Sequence, residues 1–266
     1  GKYTFMILED LYREFGIPKY KRPKQNIIDD GSIIRTGSLE IEVMSSSHTC
    51  FDSFGFIIRT PNTTVYHSGD MKIDSSTYFR KATNTKRLKQ LAADIKFAVT
   101  DFYGIYDDGY AVKEVTTFKK LVCLMRKSRK GKIFLPVYPT HPEMYIIAFL
   151  AALKLKKNVI FFGNPDFYSY LQRIIDYGIS FDKMAGKRIK VIYNHDRDEI
   201  AKLKDNYVVI GTYNHVSQAF DANAENCFGI ITAKTFFNPL KGQLNAHNIS
   251  FTDVDAVPEL QGFGHG

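Results

Sequence analysis

The sequence predicts an α/β protein: a β-rich first part followed by a module in which strands and helices alternate. Two observations carry this. Leu39, Ile41 and Val43 alternate with polar residues, and a Pro61-Asn62 turn separates two further short strands, the pattern of antiparallel hairpins. From about residue 112, apolar residues at helical spacing alternate with short apolar runs, the pattern of parallel βαβ units with helices on both faces of a sheet. With 266 residues, 44% hydrophobic and 24% charged, the chain can bury a substantial core in one large or two smaller domains.

In chain order, residues 4–15 predict an amphipathic helix with Phe5, Leu8, Leu11, Tyr12 and Phe15 on one side, stopped by Gly16 and Pro18. A basic segment, Lys19 to Lys24, leads into a β-rich region from about Gln25 to Ile73. Strands are expected at 39–47, 54–60 and 64–66, a polar connection and helix at 75–93, and a strand at 95–100 ending in Asp101. Beyond Val112, helix 112–125 precedes strand 132–137, helix 142–156 precedes strand 158–162, and helix 165–177 precedes strand 188–192. A short helix and strand 207–210 follow, then strand 228–232, a polar loop around Phe237-Asn238-Pro239 and a final short segment. The expected divisions are 1–111, an α/β insertion at 112–223, and a segment at 224–266 that returns to the first domain.

Net charge is +8 and the pI is near 9.2. A basic surface of no special purpose and a groove that concentrates RNA or DNA by counterion release are both open readings. Basic residues gather at 19–24, 126–132 and 183–190, and 16 Tyr and 21 Phe could serve as core or as stacking surfaces. Three scattered cysteines (Cys50, Cys123, Cys227) include no CxxC pair, which points to a reducing, cytoplasmic compartment rather than a disulfide framework. The first residues read as a helix start, and no apolar run approaches a membrane span. Neither a P-loop nor a Gly-x-Ser-x-Gly motif occurs.

The chemistry-bearing candidates lie at strand ends, where a rigid sheet presents side chains on loops. His48 and Asp70 offer an imidazole and a carboxylate on either side of a hairpin, either as metal ligands or as an ordinary polar strand end and a turn residue. Asp101 closes the apolar strand Ile95-Lys-Phe-Ala-Val-Thr100 and reads either as a cap or as a catalytic carboxylate. His265 sits in a glycine-flanked turn, and His141 lies near a helix start.

The run His48-Thr-Cys-Phe-Asp-Ser-Phe-Gly55, followed by His67-Ser-Gly-Asp-Met-Lys-Ile-Asp74, resembles the ribonuclease J family. That family has the metallo-β-lactamase fold with an inserted β-CASP domain, and its pattern is His-Ser-x-x-Asp-Ser-Phe-Gly, a hairpin, then His-Thr-Gly-Asp-Phe-Lys. Val99-Thr-Asp101, Val209-Ile-Gly-Thr212 and Gly264-His-Gly266 are collinear, weaker matches. The resemblance implies part of an αββα sandwich, lacking its N-terminal part, with an inserted parallel α/β domain. It implies zinc-dependent hydrolysis of RNA phosphodiesters, with two Zn²⁺ in a complete member: His48 as a ligand of one, Asp70 bridging both. Asp101 would orient a histidine beside the site, and His265 would protonate the leaving oxygen. The implied partners are single-stranded RNA and a ribonuclease J-type subunit in a homo- or hetero-oligomer.

The sequence also departs from the family. No His-x-His-x-Asp-His motif occurs in these residues, so the chain alone is not expected to hold both ions. The family's Ser-Asp-Ser-Thr-Asn is Thr100-Asp-Phe-Tyr-Gly104, its Ser-Gly-His serine is Phe263, and its glycine-rich Thr-Gly-Ser-Gln-Gly loop is Thr212-Tyr-Asn-His-Val216. Two functional readings follow: a ribonuclease of the ribonuclease J type, or a catalytically weak paralogue that binds RNA and partners an active ribonuclease.

Overall fold

The computed structural model describes residues 1–79, 81–102, 112–127, 131–194, 196, 202, 206–212, 216, 227–231, 237–247, 249–253 and 257. Among these, the chain forms two sheets and seven α-helices, and it divides into two compact units, Gly1–Ala111 and Val112–His265.

The first unit opens with α1 (Lys2–Glu14) and a 3₁₀ turn (Lys19–Lys21). Its sheet runs in the order β1 (Ile33–Thr36), β2 (Leu39–Ser46), β3 (Ser53–Arg59), β4 (Thr64–His67), β5 (Phe97–Val99). The first four strands form an antiparallel meander, and β5 joins parallel to β4 after α2 (Thr85–Leu91). The alternation seen in the sequence becomes two faces. On one, Met44, Ile57 and Tyr66 are buried with Leu91, and Leu88 and Ile95 pack against them. On the other, register aligns Ile34, Ile41, Ile58, Val65 and Phe97 across all five strands. This row is only partly covered, and Phe97 at the edge is 64% exposed.

In the second unit, α3 (Glu114–Lys127), β6 (Ile133–Pro136), α4 (Pro142–Lys154), β7 (Asn158–Phe162), α5 (Pro165–Tyr177), α6 (Phe181–Ala185), β8 (Val191–Asn194) and β9 (Tyr207–Gly211) come first. They are followed by β10 (Phe228–Ile230), α7 (Phe237–Ala246) and β11 (Ser250–Thr252). Six parallel strands lie in the order β11-β10-β6-β9-β7-β8. Strands β6 and β9 are buried along their whole length, as expected of parallel strands covered on both faces. Gly211 is required where β9 ends, because a Cβ there would lie 2.1 Å from the carbonyl oxygen of Phe162 on β7.

Three expectations are corrected. The segment 224–266, expected to return to the first domain, instead adds β10 and β11 to the second sheet, because β10 pairs with β6 and β11 with β10. The loop expected around Phe237-Asn238-Pro239 is the start of α7, whose Leu240 and Leu244 are buried in the core with Phe134, Val209 and Ile249. Proline is tolerated there because the first turn of a helix has no carbonyl partner for its nitrogen to lose. The strand expected at 188–192 begins at Val191, because the chain leaves α6 through Gly186 (φ +53°) and a turn and bend that run to Lys190. The short helix expected before β9 falls largely outside the described residues.

Candidate functional site

The site candidates lie at one end of the first sheet, where β2, β4 and β5 deliver their C-terminal residues. Ser47, just past β2, forms an isolated antiparallel bridge with Lys72 beyond β4. The Lys72 N–H donates to the Ser47 carbonyl at 2.8 Å, and the Ser47 hydroxyl donates to the Lys72 carbonyl at 2.5 Å. Thr83 ties both down: its hydroxyl accepts from the Ser47 N–H at 2.9 Å and donates to the Lys72 carbonyl at 2.8 Å. Ser47 is fully buried, so these bonds satisfy polar groups that water does not reach. The result anchors the segment bearing His48 against the segment bearing Asp70.

A second set of contacts brings in Asp101. The Ser68 N–H donates to the Val99 carbonyl at 2.9 Å, extending the β4–β5 pairing, and the Asp101 N–H donates to the Ser68 hydroxyl at 3.0 Å. The Asp101 carboxylate accepts the Met71 N–H at 3.3 Å, so it grips the residue following Asp70. Glycine makes the turn between them possible. Gly69 has φ +60°, and a Cβ on it would lie 3.1 Å from the Phe54 carbonyl oxygen of the neighbouring strand.

The side chains are presented differently. His48 is half-buried, with its Nδ1 3.2 Å from the Thr49 hydroxyl; Asp70 and His67 are exposed; Asp101 is half-buried. His67 Nδ1 accepts the Gly69 N–H at 3.1 Å. Among the described residues, no group of three or more His, Cys, Asp or Glu is placed to hold a metal ion. A catalytic zinc takes three protein ligands, and His48 and Asp70 are donors of the right type for two of them. His265 lies outside the described residues. His141 is the residue before α4, with its ring 4.9 Å from that of Tyr138.

Asp52, inside the Asp-Ser-Phe-Gly motif, has a role that sequence reasoning missed. Its carboxylate accepts the N–H groups of Tyr3 (2.6 Å) and Thr4 (3.3 Å) and the Thr4 hydroxyl (3.0 Å). An anion at a helix start satisfies donors that have no partner within the helix and meets the positive end of its dipole. Tyr3 packs edge-on against Phe51 at 4.9 Å, completing the dock. Partners 49 residues apart leave no local signal, so only the fold shows this role.

The region is thus the end of a half-covered sheet on which three loops meet, bearing the imidazoles of His48 and His67 and the carboxylates of Asp70 and Asp101. Comparison with known proteins refines this class. No family model matches the sequence. The chain is similar to ribonuclease J of Thermus thermophilus, 23% identical over 165 residues, covering 62% of this chain and 29% of that protein. It is similar also to ribonuclease J of Helicobacter pylori, 22% identical over 204 residues, covering 76% and 28%. The chain spans under a third of the length of these relatives. In fold it resembles the crystal structure of a protein of unknown function from Enterococcus faecalis, with TM-score 0.64 and 15% identity, over 95% of this chain and 62% of that one. The relationship to ribonuclease J is distant. No described helix is long and apolar enough to cross a membrane.

Proposed function

We propose that this chain is part of a ribonuclease J-type enzyme that hydrolyses phosphodiester bonds of single-stranded RNA at the end of the first sheet. The observation that carries the reading is the pair of ties, Ser47 to Lys72 and Asp101 to Met71, that hold the His48 and Asp70 segments at one place. Both segments belong to the motifs through which the sequence resembles that family, and the curated relatives bear the same name.

In this reading His48 and Asp70 are donors to zinc, which supplies a Lewis acid when bound. Two donors fall short of a complete set, so zinc dependence is proposed for a protein in which further ligands join them. Asp101 is a positioning residue: by accepting the Met71 N–H it fixes the backbone next to Asp70. His265 is proposed as the proton donor to the leaving oxygen. A cytoplasmic location and association with another ribonuclease J-type subunit belong to the same proposal.

One observation favours the second reading, a weak or inactive paralogue that binds RNA. Phe102, 64% exposed, stands directly after Asp101 where the family carries serine, which puts an apolar ring beside the candidate site. Incubating the full-length gene product with 5′-labelled single-stranded RNA separates the two. Chelator-sensitive hydrolysis is expected; RNA that is bound yet stays intact with zinc supplied supports the paralogue.

A further inference from the structure

The basic segment 19–24 contains none of the residues assigned above, and its structure gives it a use. The 3₁₀ turn closes through the Lys21 N–H donating to the Pro18 carbonyl (2.9 Å) and the Arg22 N–H to the Lys19 carbonyl (3.1 Å). Three residues per turn send Lys19, Tyr20 and Lys21 outward at intervals of about 120°. Tyr20 is 83% exposed, an unusual setting for an aromatic ring, and the Lys21 ammonium lies 5.9 Å from its centroid. Phe15, at the end of α1, is also largely exposed.

The turn is held rigidly by Arg22. Its guanidinium bonds Glu9 and the Ile17 carbonyl, both at 2.9 Å, and lies 5.2 Å from the Tyr12 ring centroid. Arg22 is thus committed to structure, while Lys19, Lys21 and Lys24 are exposed and make no ion pair among the described residues. Two acids of α1 are already engaged, Glu9 with Arg22 and Asp10 with Arg13 at 2.8 Å, which leaves Glu14 as the third acid of that helix. An exposed aromatic ring with one ammonium group over it, and exposed Lys19 and Lys24 close by in the chain, matches a polyanion that offers flat apolar surfaces between its charges.

We propose that Tyr20, with Lys19, Lys21 and Lys24, forms an accessory platform for single-stranded RNA, stacking one base and contacting adjacent phosphates. The proposal rests on the reading of the chain as part of an RNA-acting protein. A single strand fits better than a duplex, because only an unstacked base can lie on an exposed ring. An anionic membrane fits less well, because the adjoining helix α1 carries Glu9, Asp10 and Glu14 rather than a basic polar face.

The test uses the full-length protein, fluorescein-labelled oligouridine and anisotropy titrations at several salt concentrations. The Lys19→Ala/Lys21→Ala/Lys24→Ala variant is expected to make the salt dependence of log affinity shallower by about 2 units, at about 0.7 for each phosphate no longer neutralised. Tyr20→Ala is expected to weaken binding at least about five-fold, the lower end for loss of one stacked base, and Tyr20→Phe to retain wild-type affinity. Circular dichroism checks that each variant is folded. Wild-type affinity and slope in both alanine variants would overturn the platform while leaving the RNA-acting reading intact. Losses confined to binding of phosphatidylserine vesicles would overturn it in favour of a membrane surface. A wild-type protein that binds no RNA at all removes the reading beneath it as well.

Discussion

The two sheets differ in how they are covered. Strands β6, β7 and β9 bury nearly every residue between helices, and Ile160, Phe161, Val208 and Val209 have no exposed surface. The first sheet buries one face under α2 and leaves the Ile34-to-Phe97 row only partly covered, with every residue of β1 and β5 exposed. The second sheet is therefore held mainly by packing. The first depends more on directed polar ties: Asp52 on α1, Ser47 and Thr83 on Lys72, and Arg59 and Arg87 on Glu42. Polar ties can specify where loops sit without a thick core, and those among Ser47, Thr83 and Lys72 adjoin the segments that carry His48 and Asp70.

Truncations test that contrast most strongly. Phe161→Ala in β7 should cost about 3–5 kcal/mol in urea unfolding, because it removes a fully buried ring and leaves a cavity. Phe97→Ala, on the exposed edge of the first sheet, should stay within about 0.5 kcal/mol. Equal losses at the two positions would mean that the first sheet is covered as fully as the second.

A smaller effect is expected from Asp52→Ala, about 1–2 kcal/mol, the cost of a lost helix cap. Hydrogen exchange should accelerate at the Tyr3 and Thr4 amides; unchanged protection there would remove Asp52 from the account. The smallest effect concerns Glu42. Hydrogen bonding to Arg87, followed by Arg59, holds its carboxyl below the usual range despite the opposing effect of burial. A carboxylate with a depressed pKa contributes stability above its unfolded pKa and loses it as pH falls through the folded value. Glu42→Gln should therefore lower the melting temperature by a few degrees at neutral pH, and the gap should close in acid. A gap independent of pH would show that charge at Glu42 is not the tie.

Legibility in the sequence followed the same division. In the second unit, β7 and α5 have the bounds expected from the sequence, because continuous apolar runs and local punctuation mark them. Asn164 caps α5 by accepting the Phe167 N–H at 2.9 Å, Pro165 starts it, and Gly178 with φ +125° ends it. Helix α7 was hidden because Pro239 and Gly242 are poor helix residues locally, and burial of Leu240 and Leu244 decides the matter only in the folded chain. The expected stripe on α1 was legible, yet only Tyr3 of that helix is buried, so periodicity there did not reveal packing. At the site, His48, Asp70 and Asp101 could be picked out from motifs and strand ends. The ties that position them could not, because Ser47 meets Lys72 and Thr83 across 25 and 36 residues. Long-range polar pairs have no period for a sequence to display.

If RNA is hydrolysed at the end of the first sheet, as we propose, Asp70 is the residue whose loss should cost the reaction most. Removing groups that merely orient a metal ligand costs about 10–100-fold in activity, the range expected for Asp101→Ala, so loss of a ligand itself should exceed it. Hydrolysis of 5′-labelled single-stranded RNA by the full-length protein and its Asp70→Ala variant should be compared, with folding checked by circular dichroism. The folded variant is expected to lose more than about 100-fold in rate. Hydrolysis by Asp70→Ala at the wild-type rate would contradict the proposal and place the chemistry elsewhere in the protein.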